Sequence, residues 1–115
     1  PPPATPLHEA VLAQLLDLHQ KKYCAAGQYV PFYADLSLIV RTYLERRYAL
    51  PALESTTREI MSSLPPDALP APQRDALRGL LQEADLAKYA DRQPPPQACE
   101  NALAAARRFV LATQG

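Results

Sequence analysis

The sequence has no tryptophan, only three glycines and no net charge. Three scattered glycines cannot form the glycine-rich loop that cradles nucleotide phosphates, so nucleotide binding is not expected. Twelve basic and twelve acidic side chains cancel, whereas nucleic-acid-binding domains usually carry an excess of basic residues on one face. The composition therefore argues against a nucleotide-binding protein and against a nucleic-acid-binding protein.

Long hydrophobic runs are also missing. No apolar stretch approaches the ~18–20 residues that cross a bilayer, and the first residues lack the basic and apolar regions of a signal peptide. The chain as given is therefore predicted to be soluble. Residues 1–6 are rich in proline, which is typical of a stiff extended spacer, and we expect them to be the remnant of a linker with a further segment upstream.

Cysteine is scarce, with Cys24 and Cys99 far apart on different predicted helices. Their spacing indicates no metal or catalytic site. Two reduced, half-buried cysteines are the expectation, which favours a reducing compartment. A disulfide and a reactive pair are the alternatives.

Proline is abundant and separates the predicted helices. Thirteen prolines fall between segments of helical apolar spacing or at their first position, where helices tolerate them. Strand patterns are thin, because no segment alternates apolar and polar residues for long. We predict an all-α fold over residues 7–115, a single compact domain of about five helices that starts with an αα-hairpin.

The hairpin is predicted from the first two apolar-periodic segments. The first helix should have Thr5 as its N-cap, Pro6 as its first helical residue and Gly27 as a left-handed terminator. The second should begin at Pro31. The predicted inward stripe of the first helix consists of Leu7, Val11, Leu15 and Leu18. In the second helix Tyr43 is predicted to be core, with Tyr33 and Tyr48 at its edge.

A capping box marks the third helix. Thr56 and Glu59 have the spacing at which each side chain satisfies a free backbone N–H at the helix start. The helix should be short, turn Ile60 and Leu64 inward, and end before Pro65.

Two more helices complete the prediction. The fourth should begin near Pro72, with Gly79 marking a close helix contact and a break near Asp85. The last follows the prolines at 94–96. Its predicted inward face consists of Cys99, Ala102, Leu103, Ala106, Phe109, Val110 and Thr113.

No catalytic, cofactor or metal site is predicted. His8-Glu9 begins like a zinc-protease motif, but Leu12 stands where the second histidine ligand belongs. His19 is too far along the same helix to share a metal with His8. Asp35 and Ser37 have no histidine placed to complete a nucleophilic arrangement.

Three segments carry a resemblance to a known family. These are residues 32–48 (FYADLSLIVRTYLERRY) with 52–60 (ALESTTREI), then 85–90 (DLAKYA), then 105–110 (AARRFV). In this order they resemble the helical domain of small bacterial membrane-anchored proteins encoded beside MoxR-type AAA+ ATPases and von Willebrand factor A proteins, in clusters related to the Bat aerotolerance genes. A similar segment ends some BatD-like proteins. One departure is at 28–30, where the family commonly has an acidic residue.

The resemblance implies a location and a role. In such proteins a transmembrane helix precedes the helical domain, which would lie at the cytoplasmic face of the bacterial inner membrane. It implies a non-catalytic adaptor that acts with the ATPase or the von Willebrand factor A protein during assembly or maturation of other complexes. No family activity is established, so no catalytic residue is carried over.

Candidate interaction residues follow from side-chain type. Arg41, Arg46 and Arg47 lie on the charged side of the second predicted helix, and Lys88 and Tyr89 lie near the break expected in the fourth. Arginine and aromatic groups are enriched at protein interfaces, although ordinary solvated residues are the alternative.

The alternative function is a helix-turn-helix-like nucleic-acid-binding module. The short third helix after a tight turn could mimic a recognition helix. Such a helix should expose several basic or amide side chains to base edges, and Arg58 is the only one between Thr56 and Leu64.

Overall fold

Within residues 6–89 and 94–114, which the computed structural model describes, the regular structure consists of five α-helices and one 3₁₀ turn and contains no strand. This confirms the predicted all-α class. The helices are α1 (Leu7–Gln20), α2 (Tyr29–Tyr48), α3 (Thr57–Ser63), α4 (Ala71–Tyr89) and α5 (Pro96–Thr113), and the 3₁₀ turn (Ala52–Glu54) lies between α2 and α3.

The four long helices surround one core. Helix α1 packs against α2 and α5, and α4 packs against the same two helices, so the four form a closed ring. Helix α3 packs on α4, and the 3₁₀ turn packs on α2. The largest fully buried side chains come from α2, α3, α4 and α5: Tyr33, Leu36, Tyr43, Leu44, Ile60, Leu77, Leu81 and Val110.

The predicted hairpin of α1 and α2 is present, but its turn differs from the prediction. Helix α1 ends at Gln20 rather than at Gly27, and the chain reverses through Lys22, whose φ is 57°. Gly27, with φ 77°, lies at the end of the turn that leads into α2. Helix α2 then begins at Tyr29, because a proline in the first turn removes only an N–H that has no helical partner. The predicted cap Thr5 lies outside the described residues.

Cys24 and Cys99 form a disulfide, with their Cα atoms 6.6 Å apart. The expectation of two reduced cysteines is therefore wrong. The α1–α2 turn folds over the start of α5, and this packing brings together two residues separated by 75 positions. Sequence spacing alone does not carry that information.

Helix α4 is continuous to Tyr89, so the predicted break near Asp85 is wrong. Two small buried residues, Ala84 and Ala87, extend the inward stripe begun by Leu77 and Leu81. The helix therefore continues to bury one face, while Leu86 stays exposed on another side.

Tyr33 is fully buried, not at the edge of the core as predicted. Its hydroxyl donates to Glu83 Oε2 at 3.4 Å, which links α2 to α4. Burial is the main cause that raises the pKa of Tyr33, and the nearby Glu83 carboxylate is the second. The predicted core position of Tyr43 is confirmed, and its hydroxyl lies 2.7 Å from Thr113 Oγ1 of α5.

Gly79 does not mark a close helix contact. A Cβ built at this exposed residue meets no described atom within 4 Å. We therefore expect Gly79→Ala to raise the free energy of unfolding by roughly 1 kcal/mol, since alanine has the higher helix propensity and loses less backbone entropy. Urea denaturation checks this. A decrease in the unfolding free energy would contradict the open environment, and Ala76→Gly, on the same exposed side of α4, should show the opposite change.

The predicted capping box of α3 is confirmed. Glu59 N donates to Thr56 Oγ1 at 3.1 Å, and Thr56 N donates to Glu59 Oε1 at 2.8 Å. The inward positions Ile60 and Leu64 are buried as predicted.

We expect Thr56→Ala to destabilise the domain by ~1 kcal/mol, because a helix as short as α3 depends on its cap. The Thr56 backbone N–H lowers the pKa of Glu59, so the stabilisation from this carboxylate is present above its ordinary pKa and is lost as pH falls through its lowered value. Thermal unfolding of both proteins at neutral and acidic pH measures the two effects. An unchanged melting temperature in Thr56→Ala would contradict the cap's contribution.

Candidate functional site

A surface groove of about 580 Å³ lies between α2, the segment that joins the 3₁₀ turn to α3, and α4. We call it the α2–α4 groove. The residues that line it are Ala34, Ser37, Leu38, Arg41, Leu53, Glu54, Ser55, Thr56, Thr57, Asp85 and Lys88. Residues of α2, the 3₁₀ turn, α3 and α4 therefore build one concave surface.

Arg41 holds one wall of the groove in place. Its Nε donates to Ser37 Oγ at 2.9 Å, one helical turn earlier on α2. Its Nη1 donates to the carbonyl oxygens of Ala52, at 3.0 Å, and of Ser55. The guanidinium thus ties α2 to both ends of the 3₁₀ turn and leaves a fixed positive charge beside the groove.

Two further contacts fix the other walls. Thr57 Oγ1 donates to Asp85 Oδ2 at 2.6 Å, which joins the start of α3 to α4. The backbone N–H of Leu53 donates to Glu45 Oε1 at 3.0 Å, which joins the 3₁₀ turn to α2. The groove is therefore held by side-chain contacts between its elements.

Two exposed leucines flank the polar residues. Leu38 is 55% exposed and Leu53 is 44% exposed, and both line the groove. A single exposed leucine needs no explanation. Two on one groove, beside the charged groups of Arg41, Glu54 and Lys88, match a protein interface with an apolar centre and a charged rim.

The structure divides the five predicted interaction residues among several places. Arg41 and Lys88 meet in the α2–α4 groove. Arg46 is exposed outside the groove lining. Arg47 donates from Nε to the Thr113 carbonyl at 2.9 Å. Tyr89 is the last residue of α4, and its side chain lies outside the described part of the structure.

Arg47 contributes to packing at the opposite end of the molecule from the α1–α2 turn. Its Cζ lies 5.0 Å from the centroid of the Tyr48 ring, within the range of a cation–π contact. The Thr113 carbonyl that it contacts is among the last of α5, where cationic side chains satisfy free carbonyls and the helix dipole. We therefore assign Arg47 to the junction of α2 and α5 rather than to the groove.

Sequence reasoning missed Leu38, Leu53, Thr57 and Asp85. One signal was available for Leu38, because it falls on the polar side of α2 together with Arg41 and Thr42, where the amphipathic pattern calls for a polar residue. The contact between Thr57 and Asp85 joins separate helices and has no sequence signal.

A second groove, of about 490 Å³, runs between α1 and α5 and is more apolar. Leu12, Leu16 and Leu103 line it, and the ion pair of His19 Nε2 with Glu100 Oε1, at 3.3 Å, closes one end. None of the predicted interaction residues lies there. Leu16, 56% exposed, is therefore a matched comparison for Leu38.

In the described ranges, no three His, Cys, Asp or Glu side chains are grouped so that they could hold a metal ion. None of the described helices is both long and apolar enough to span a membrane. Comparison with protein-family models, curated proteins and solved structures found no match. The site is therefore interpreted from its own geometry.

Proposed function

We propose that this domain is a non-catalytic protein-interaction adaptor of a membrane-anchored accessory protein, and that the α2–α4 groove is its contact surface. The partner classes are those that the family resemblance implies, a MoxR-type AAA+ ATPase or a von Willebrand factor A protein. The observation that carries the proposal is the meeting of Leu38, Leu53, Arg41 and Lys88 in one groove.

The chemistry of the groove indicates what kind of segment it accepts. An apolar side chain of the partner can pack between Leu38 and Leu53, which would remove both leucines from water. Arg41 and Lys88 are matched by Glu54 and Asp85 in the groove lining, so charged groups of both signs are favoured next to that apolar side chain. A hydrophobic residue flanked by charged residues of both signs is therefore the expected contact motif.

The disulfide bears on the compartment and hence on the choice of partner. Disulfides persist in oxidising compartments such as the bacterial periplasm and are rare in the cytosol. The cytoplasmic location expected from the resemblance is therefore not favoured by the bond between Cys24 and Cys99. Because an ATPase needs the ATP of the cytoplasm, we propose the von Willebrand factor A protein as the direct partner.

Site-specific photo-crosslinking tests the surface and the partner together. A photoreactive amino acid is placed at Leu38, Leu53 or Leu16 of the full-length protein in the cells that make it, and crosslinked proteins are identified by mass spectrometry. We expect positions 38 and 53 to capture a von Willebrand factor A protein. Position 16 has the same exposed leucine on another face and should not capture it.

A pair of charge-introducing variants provides the second arm. With the photoreactive amino acid at position 53, Leu38→Lys should abolish the crosslinked complex, whereas Leu16→Lys should leave it intact, provided that both proteins unfold at the wild-type temperature. If Leu38→Lys retains the partner, the groove is not the contact surface. Capture of the ATPase alone would contradict the proposed compartment, and capture of nucleic acid alone would favour the helix-turn-helix alternative.

A further inference from the structure

The disulfide borders a small surface cavity. A cavity of about 170 Å³ is lined by Cys24 and Cys99 together with His19, Lys22 and Glu100. Cys24 is 8% exposed and Cys99 is 3% exposed. The bond is therefore mostly covered by protein, but it has an open side, and Cys24 is the more accessible residue.

The bond holds the beginning of α5. Cys99 lies in the first turns of this helix, whose N-cap Pro95 provides no side-chain hydrogen bond. The neighbouring contact between His19 and Glu100 is partly exposed to solvent, and exposed pairs add little stability. The covalent link to the α1–α2 turn therefore helps to fix this end of α5, beside the packing of the helix on α1 and α4.

We propose that Cys24–Cys99 is a thiol–disulfide exchange site for a thiol or dithiol reductant, in which Cys24 is attacked and Cys99 leaves. Cys24 is the more exposed residue of the pair, and an external thiolate reaches the more accessible cysteine first. A thiolate formed near the N-terminus of a helix is stabilised by the partial positive charge there, which makes Cys99 the better leaving group. Lys22, on the rim of the cavity, attracts the incoming anion.

The exchange balances in two steps. The external thiolate forms a bond to Cys24 Sγ while the bond between Cys24 Sγ and Cys99 Sγ breaks, and the electron pair passes to Cys99 Sγ. A second thiol of the reductant, as its thiolate, attacks the reductant sulfur joined to Cys24 and releases the Cys24 thiolate. Two electrons reach the protein, the reductant becomes a disulfide, and the cysteine thiolates take protons from water according to pH.

Glutathione provides a direct probe of the attacked sulfur. The oxidised full chain is exposed to reduced glutathione, quenched with acid, and digested for mass spectrometry of the mixed disulfides. We expect the Cys24 adduct to exceed the Cys99 adduct by roughly tenfold, since accessibility and leaving-group stability act in the same direction. Equal adducts, or an excess on Cys99, would overturn the proposal.

The rate law separates a site on the folded protein from a purely structural disulfide. Attack on the folded protein gives a rate that rises linearly with glutathione concentration. A rate that is independent of glutathione and equal to the unfolding rate would show that the bond reacts only in unfolded molecules, and this would overturn the proposal.

Two adjacent lysines supply a matched control. Lys22 lines the cavity, whereas Lys21 pairs with Asp35 Oδ2 at 3.2 Å on the side of α2. Lys22→Gln should slow the reaction with glutathione about two- to threefold by removing a nearby positive charge, and Lys21→Gln should leave the rate unchanged. Equal slowing in both variants would overturn the placement of the reaction at this cavity.

Discussion

Reduction of the Cys24–Cys99 disulfide is expected to lower the melting temperature of the domain by roughly 15 °C. The bond joins residues separated by 75 positions, and closing a loop of that length in the unfolded chain contributes about 4 kcal/mol in the chain-entropy description. Helices α2, α3 and α4 all lie inside the loop, so the constraint acts on the greater part of the unfolded chain.

Thermal unfolding with and without reductant measures this effect. The double variant Cys24→Ala with Cys99→Ala should unfold near the temperature of the reduced wild type and should not respond to reductant. That lack of response is the control for any other action of the reductant. A shift of only a few degrees in the wild type would contradict the stabilisation expected from closing this loop.

Arg41→Met is expected to lower the free energy of unfolding by about 2 kcal/mol, the range for hydrogen bonds made by a charged group. Methionine retains much of the aliphatic length but has no donors. The substitution removes the hydrogen bonds that Arg41 donates to the carbonyl oxygens of Ala52 and Ser55. It also removes the hydrogen bond to the hydroxyl of Ser37, and Ser37 is a buried residue. We place the expected loss of unfolding free energy near the middle of that range, because Arg41 is only partly buried.

Arg46→Met is the matched control, because Arg46 is an exposed arginine on the same helix. Surface substitutions of this kind usually change the unfolding free energy by less than ~0.5 kcal/mol. Urea denaturation of both variants compares the two positions directly. Equal losses would show that removal of a positive charge, rather than loss of the Arg41 contacts, causes the effect.

The two arginines show how far sequence reasoning reached at the candidate site. The amphipathic pattern of α2 correctly placed Arg41 and Arg46 away from the core stripe. It could not separate them, because the two carbonyl acceptors of Arg41 lie 11 and 14 residues further along the chain. The groove itself combines residues of four elements, so its shape depends on how those elements pack.

Helix α4 shows the same limit within a single element. Leu86 breaks the apolar periodicity, and this predicted a break near Asp85. The helix continues because Ala84 and Ala87 pack against the core, and burial of a continuous face outweighs one exposed leucine. At Gly79 the sequence predicted a close contact between helices, but the residue faces open space.

The sequence by itself determined the features that depend on contacts within about one helical turn. The capping box of Thr56 and Glu59, the end of α3 before Pro65 and the inward face of α5 are such features, because backbone geometry and local hydrogen bonding specify them. Only the tertiary structure decided that Cys24 meets Cys99, that Tyr33 is buried against Glu83 and that Arg41 and Lys88 share a groove. Those contacts join residues distant along the chain, and their geometry arises only when the helices pack around the common core.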